Sequence, residues 1–291
     1  MENTAVLLID CPDRPGLVAR VSSLLYDRGA NILHADQHQD HELGLFFMRV
    51  EWGLAAQGEP AKGGSFDLTA FEREFAALAC ELEMRWTLAS TSRRPRMALF
   101  CSQYLHCMAD LLHRWHTGEL RCEIPLIVSN HLEVEKMAGF YGIRFEHVPV
   151  TPATRLQAEE RQLQLLNANG IDVVVLARYM QILSPGFVAR YPSAIINVHH
   201  SFLPAFVGAR PYHAAHARGV KLIGATSHYV TEVLDDGPII EQDVARISHR
   251  DQVEDLVARG RDLERIVLSR AVRWHLDRRI LCYGNKTVVF D

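Results

Sequence analysis

The chain reads as an α/β protein in two parts: an N-terminal ferredoxin-like βαββαβ domain, then a Rossmann-like domain with a mostly parallel sheet. Three observations predict this. Residues 4 to about 90 follow the order β-α-β-β-α-β when their apolar residues are sorted by period two or 3.6. From Arg96 on, short and wholly apolar runs alternate with helical segments, as strands covered on both faces require. Between them lies a polar, basic stretch that ends in Pro95. A length of 291 residues suits two domains. The expected division is 1–89, a linker at 90–95, and 96–291.

The elements follow in order. Thr4–Ile9 is a strand and Asp10–Gly16 a Pro/Gly turn. Leu17, Val21, Leu24 and Leu25 recur at helical spacing. Asn31–His38 and Leu43–Trp52 form two strands of a hairpin, and Gly58–Ser65 is a polar, glycine-rich loop. Phe71, Phe75, Leu78 and Ala79 mark a second helix, and Glu83–Leu88 a closing strand. In the second domain Met97–Cys101, Ile124–Val128, Val173–Leu176 and Ala194–Val198 are strands, with helices between them. Thr226–Val230 and Pro238–Val244 are further strands, Asp251–Leu276 a long helix, and Lys286–Phe290 a last strand.

Composition excludes several classes. A net charge of -4 gives no electrostatic basis for binding nucleic acid or membrane lipid. No apolar stretch reaches the ~20 residues of a membrane span. The start Met-Glu-Asn-Thr lacks the basic and apolar regions of a signal peptide. Six cysteines without a C-x-x-C pair suit a reduced cytoplasmic enzyme. His113-x-x-His116 and His213-x-x-His216 have helical i, i+3 spacing, but no third ligand of fitting spacing accompanies them. Neither a metal nor a cofactor is expected.

The most informative segment is Asn197-Val198-His199-His200-Ser201, followed 36 residues after His199 by Asp235 in Leu234-Asp235-Asp236-Gly237-Pro238. Residues two apart on a strand share a face, so Asn197 and His199 emerge together at a strand end. In an open α/β sheet the carboxyl ends of the strands border the ligand site. An amide donor, an imidazole and an acid suffice for chemistry at a carbonyl carbon. His200 points to the opposite face if the strand persists, and His228 lies on the Thr226–His228–Val230 face of its strand.

With Ser201-Phe202-Leu203-Pro204, Gly224-Ala225-Thr226-Ser227-His228 and Val174 through Pro185, this segment resembles the folate-dependent formyltransferase superfamily. Asn-x-His-His-Ser-Phe-Leu-Pro-Ala-Phe, Gly208-Ala209-Arg210-Pro211-Tyr212 and the N-terminal domain point within it to the formyltetrahydrofolate deformylases. Asp13-Arg14-Pro15-Gly16-Leu17 resembles the ACT family, whose members often bind small amino acids between paired copies. The likeness covers nearly the whole chain.

The resemblance implies roles. Asn197 holds the formyl oxygen as it gains charge, His199 stabilises that oxyanion and shares protons with Asp235, and Asp235 is the acid. Asp236 is solvated. Met180, Gln181, Ile182 and Leu183 belong to a loop whose backbone holds a pterin ring. Several relatives carry Arg where this chain has Gln181. His228 lines the site, and His200 lines or supports it. The implied reaction is hydrolysis of 10-formyltetrahydrofolate to formate and tetrahydrofolate with water as acceptor, supplying formate for purine synthesis and balancing one-carbon pools. The implied assembly is a homo-oligomer, a dimer of dimers, with an amino-acid effector near Asp10–Gly16.

One departure bears on the acceptor. Relatives that formylate glycinamide ribonucleotide have a Gly-Ser-Asn type phosphate loop after the first strand of this domain. Here Phe100-Cys101-Ser102-Gln103-Tyr104-Leu105-His106-Cys107 is bulky and lacks the glycines. Nor is there room after residue 291 for the extra C-terminal domain of methionyl-tRNA formyltransferases. Two rival readings remain: a formyltransferase to another amine, separated by formate release without an amine, and a non-catalytic amino-acid sensor, separated by a single-turnover assay.

Overall fold

Alternation of apolar residues sets the first sheet. The computed structural model of the chain describes residues 3–54, 66–204 and 211–291. The expected Gly58–Ser65 loop and the Ala205-Phe206 and Gly208-Ala209-Arg210 parts of the motifs lie outside the described residues. Strand β1 (Asn3–Pro12) is followed by α1 (Leu17–Asp27), β2 (Asn31–Asp40), β3 (Leu45–Leu54), α2 (Leu68–Glu81) and β4 (Arg85–Ser90). The strands form an antiparallel sheet in the order β2-β3-β1-β4. β1 runs three residues past the expected end because its pairing with β3 continues to Pro12 opposite Leu45. Gly16 enters α1 at φ +91, a conformation open to glycine. Asp67 caps α2 by accepting from the Ala70 N–H at 3.0 Å.

Leu7, Ile9, Met48, Val50 and Trp52 face Val21, Leu25, Phe71 and Phe75 in the core. That leaves Arg49 and Glu51 on the other face of β3. There the Arg49 Nε–H donates to the Arg278 carbonyl at 3.0 Å, and its Nη2 donates to Glu51 at 2.7 Å. The chain divides into one compact unit of Met1–Arg94 with Arg278–Leu281 and Val288–Asp291, and a second of Pro95–Asp277 with Cys282–Thr287. The linear reading gave all of 96–291 to the second domain. The two returning C-terminal pieces instead group with the first unit, where Arg278 accepts the bond from Arg49.

The second unit begins with β5 (Arg96–Cys101), α3 (His106–His116), β6 (Glu123–Ser129), α4 (Glu135–Phe140), β7 (Arg144–His147) and α5 (Arg155–Ala168). Then come β8 (Val173–Leu176), α6 (Pro185–Val188), β9 (Ile195–His199), α7 (Pro211–Arg218), β10 (Leu222–Tyr229), β11 (Ile239–Arg246) and α8 (Val253–Leu276). The sheet order is β11-β10-β9-β8-β5-β6-β7. The block from β9 to β7 is parallel, and β10 and β11 run antiparallel at one edge. This matches the expected mostly parallel α/β class. The chain reverses its direction of growth between the neighbouring strands β5 and β8, so the crevice at their carboxyl ends is a topological switch point.

Two strands escaped the sequence reading. β7 is a four-residue edge strand carrying Arg144 and Glu146, too short and charged to show a period. β12 (Ile280–Tyr283) pairs with β13 (Lys286–Val289) in a small separate sheet. Among the described residues no helix is long and apolar enough to cross a membrane.

Candidate active site

The site is built where the end of β9 lies antiparallel against the second half of β10. In their antiparallel register Asn197 lies opposite His228, and His199 opposite Thr226. Directly opposite side chains are close neighbours, so the pairing alone joins Asn197 to His228. The β10–β11 register shifts between Ser227 and His228, an irregularity of the kind that re-aims side chains beside sites.

His228 is 2 % exposed, and its Nδ1 lies 2.9 Å from the Tyr229 carbonyl. A carbonyl only accepts, so Nδ1 carries the proton, and Nε2 of the neutral ring accepts from Asn197 Nδ2 at 3.2 Å. Burial pushes the His228 pKa down, which favours that neutral form. One amide N–H of Asn197 is thereby used, and the other is left for a ligand.

Asp235 comes from the loop after β10 with a backbone φ of +55, rare outside glycine and most often tolerated at functional positions. Its Oδ2 lies 3.3 Å from His199 Nδ1 and its Oδ1 3.7 Å from His228 Nε2. The His199 hydrogen bond holds the Asp235 carboxyl below its ordinary pKa, against the opposing effect of burial. Asp235 is thus a carboxylate, and the His199 Nδ1–H donates to it. His199 Nε2 is fully buried and has no hydrogen-bond partner. A buried orphan nitrogen on a ring whose other nitrogen meets a carboxylate is suited to a charge that develops only during a reaction. Asp236 is exposed, whereas Asp235 is half-buried.

For His200 the condition of a continuing strand is not met. β9 ends at His199, so strand alternation no longer applies, and the His199 and His200 rings lie 5.0 Å apart. His200 is buried, and burial, reinforced by the Arg178 charge, lowers its pKa to about 4.

In the 180–183 segment the structure turns Met180 and Ile182 outward and packs Leu183 into the core. Leu183 therefore offers a ligand only its backbone. Gln181 is half-buried. Arg155 Nη2 donates to the Ile182 carbonyl at 2.7 Å, and the Met180 N–H donates to Ser102 Oγ at 3.1 Å. Ser102 also donates through its hydroxyl to Asn130 at 2.7 Å, tying the ends of β5, β6 and β8 together. Its position at the end of a buried strand was the only signal in the sequence.

No motif or spacing pointed to a role for Glu264. In mid-α8, it is 1 % exposed, yet its Oε2 bonds His106 Nε2 at 2.7 Å and its Oε1 accepts from the Tyr212 hydroxyl at 2.8 Å. Arg178 Nε is 3.5 Å from Oε2. Burial would raise the Glu264 pKa, but the His106 bond and the Arg178 charge together bring it below its ordinary value. His106, Cys107 and Glu264 are the described group whose donor atoms could approach a metal. His106 and Glu264 already satisfy each other there, and neither predicted histidine pair belongs to the group.

Residues 95–272 match the formyl transferase family, and residues 5–51 match the ACT domain family. A formyltetrahydrofolate deformylase of Synechocystis sp. is 53 % identical over the full length of both chains. One from Bacillus subtilis is 47 % identical over all of this chain and 95 % of its own. The crystal structure of a formyltetrahydrofolate deformylase from Pseudomonas syringae pv. tomato is 49 % identical, has a TM-score of 0.95, and is matched over all of this chain and 95 % of its own. A glycinamide ribonucleotide transformylase from Symbiobacterium toebii is 28 % identical with a TM-score of 0.64, over 68 % of this chain and 95 % of its own. Matched from end to end, and with an ACT domain ahead of its formyl transferase domain, the chain belongs to the formyltetrahydrofolate deformylase family.

Proposed function

We propose that this protein hydrolyses 10-formyltetrahydrofolate to formate and tetrahydrofolate, using water as the formyl acceptor and no metal or other cofactor. The observation that carries this reading is the buried, unpartnered Nε2 of His199, with the Asp235 carboxylate on its Nδ1 and Asn197 two residues before it on the same strand. As water adds to the formyl carbon, the carbonyl electrons move to oxygen. Asn197 Nδ2–H and the Nε2–H of protonated His199 hold that oxyanion. One such donor is worth about 3 kcal/mol in the transition state. Asp235 supports the imidazolium through Nδ1 and guides the attacking water. N10 takes a proton as its bond to carbon breaks. Met180, Gln181, Ile182 and Leu183 line the folate side, with His228 and His200 on the inner wall.

Water is the favoured acceptor because the first strand–helix turn is occupied. The Arg178 guanidinium lies over the Tyr104 ring at 5.2 Å, and the His106 side chain is committed to Glu264. A phosphate would find side chains where a glycine-rich cradle needs open backbone N–H groups. The expected result is formate release from 10-formyltetrahydrofolate with no amine present, and no formylation of glycinamide ribonucleotide. Formylated ribonucleotide appearing as fast as formate would sink the assignment.

Formate release supplies purine synthesis and balances one-carbon pools in the cytoplasm, a compartment consistent with six cysteines outside any disulfide. The ACT domain takes a small amino acid near Asp10–Gly16, in a homo-oligomer arranged as a dimer of dimers. Such a ligand alters the rate only if it binds one catalytic state more tightly. Sedimentation should show a tetramer, and glycine or methionine should change turnover and bind the protein. A monomer, or rates indifferent to both, would remove this part.

A further inference from the structure

Glu264 and Arg178 are left unexplained by the reaction as drawn. A charged carboxylate in the middle of a buried helix face costs stability unless it is fully paired. This one takes partners from three separate elements: His106 at the start of α3, Arg178 just after β8, and Tyr212 on α7. Two further features show that the fold is shaped around the cluster. Arg178 sits at φ +62, a left-handed conformation uncommon for a side chain of its size. Gly260 passes so close that an added Cβ would stand 2.1 Å from the Tyr212 hydroxyl. Departures from local rules collect at functional sites.

The cluster leads to the reaction centre. The Tyr212 ring lies 6.2 Å from the His200 ring, and His200 lies 5.0 Å from His199. His199 in turn meets Asp235. One polar and aromatic chain therefore runs from Glu264 through Tyr212 and His200 to the proposed catalytic pair. His200 has no place among the groups that hold the oxyanion. From this geometry we infer that His200 is a further catalytic residue that holds the attacking water, and that the Glu264–Arg178–Tyr212–His106 cluster positions it.

This rests on the hydrolytic reading above. Neutral imidazole can accept a hydrogen bond from water through one nitrogen, and imidazolium cannot. The charged and titratable groups around His200 are Arg178, His199, Glu264, Asp235 and the Tyr212 phenol, and burial with Arg178 dominates to keep it neutral. In the step, the water oxygen bonds to the formyl carbon and the carbonyl electron pair moves to oxygen. The water proton passes to the Asp235 carboxylate and from there to N10 as the carbon–nitrogen bond breaks. Formic acid and tetrahydrofolate leave, and the acid ionises in solution. His200 begins and ends neutral.

The test uses the full chain and the variant His200→Asn. Formate release should fall about 10²-fold or more, while binding of a non-hydrolysable formylfolate analogue stays within about threefold of wild type. Hydroxylamine, a strong nucleophile that needs no held water, should still take the formyl group at close to the wild-type rate. The paired variant Arg178→Met/Glu264→Gln removes both buried charges together. The acid limb of its pH–rate profile should lie at higher pH than that of wild type, because the larger of the two opposing charges on His200, that of Arg178, is gone. Formate release by His200→Asn within about threefold of wild type overturns the catalytic assignment, as does loss of hydroxylamine transfer in the same proportion as hydrolysis. An unmoved pH profile in the paired variant overturns the positioning role. Wild-type protein that transfers formyl to hydroxylamine but releases no formate in water overturns the hydrolytic reading itself, a result separate from any of these.

Discussion

Asp235→Asn should lower formate release by about 10²–10⁴-fold, with folding and folate binding nearly unchanged. The asparagine keeps the shape of the side chain and can occupy the same space. It loses the negative charge that faces His199 at 3.3 Å and His228 at 3.7 Å. Without it the His199 imidazolium loses its counter-charge, and the water loses its guide. The pH dependence has a definite sign. The Asp235 pKa is depressed by the His199 bond, so the active carboxylate is present above that lowered pKa and is lost only as pH falls through it. The acid limb set by Asp235 should therefore lie below the ordinary Asp pKa of about 3.9, and the variant should lack it. Turnover and analogue binding measured side by side check both points. Turnover within about threefold of wild type would place the acid elsewhere, with exposed Asp236 the first candidate.

Gly237→Ala should cost about 10²-fold in turnover although residue 237 touches no reacting group. A Cβ there would stand 1.7 Å from the Tyr229 carbonyl oxygen and 2.9 Å from its carbon, both backbone atoms that cannot rotate away. The same two segments are joined by the Tyr229 N–H donating to the Pro238 carbonyl at 2.9 Å. The loop must move to admit a methyl group, and Asp235 sits two residues back on it in a left-handed conformation. A displacement of about 1 Å at a reacting group is enough for this loss. Circular dichroism and thermal melting should show a folded protein with reduced stability. A crystal structure should show the 235–237 loop shifted. Full activity with an unshifted loop would mean that the close approach to Tyr229 is not needed to place Asp235.

Much of this site was legible in the sequence because it depends on local order. Asn197 and His199 share a face through the two-residue period of a strand, and a β9 five residues long and buried leaves that period no freedom. The alternation of Phe46, Met48, Val50 and Trp52 likewise defined the inner face of the first sheet. The Leu-Asp-Asp-Gly-Pro run identified a loop, and the family likeness chose Asp235 over Asp236 before their burial was known.

What tertiary structure decided is whatever depends on contacts far apart in the chain. Period arguments lapse where a strand ends, and so His200 turned toward the His199 ring rather than away from it. Gly237 read as a turn residue, but its need for glycine comes from a backbone oxygen on β10. Arg178, Tyr212, His106 and Glu264 stand on four elements and carry no common spacing, so nothing local could announce that they meet around one buried carboxylate. The C-terminal pieces 278–281 and 288–291 group with the unit begun at residue 3 without joining its sheet, an association set by packing and not by order along the chain. Sequence by itself determined the strand faces and the two-domain order, since short-range sterics and periodicity act within a few residues, and the family likeness it carries supplied the proposed Asn–His–Asp set. The neutral His200, the buried Glu264 cluster and the aim of Asp235 came only with the fold, because desolvation and long-range charge exist only once distant segments exclude water from one another.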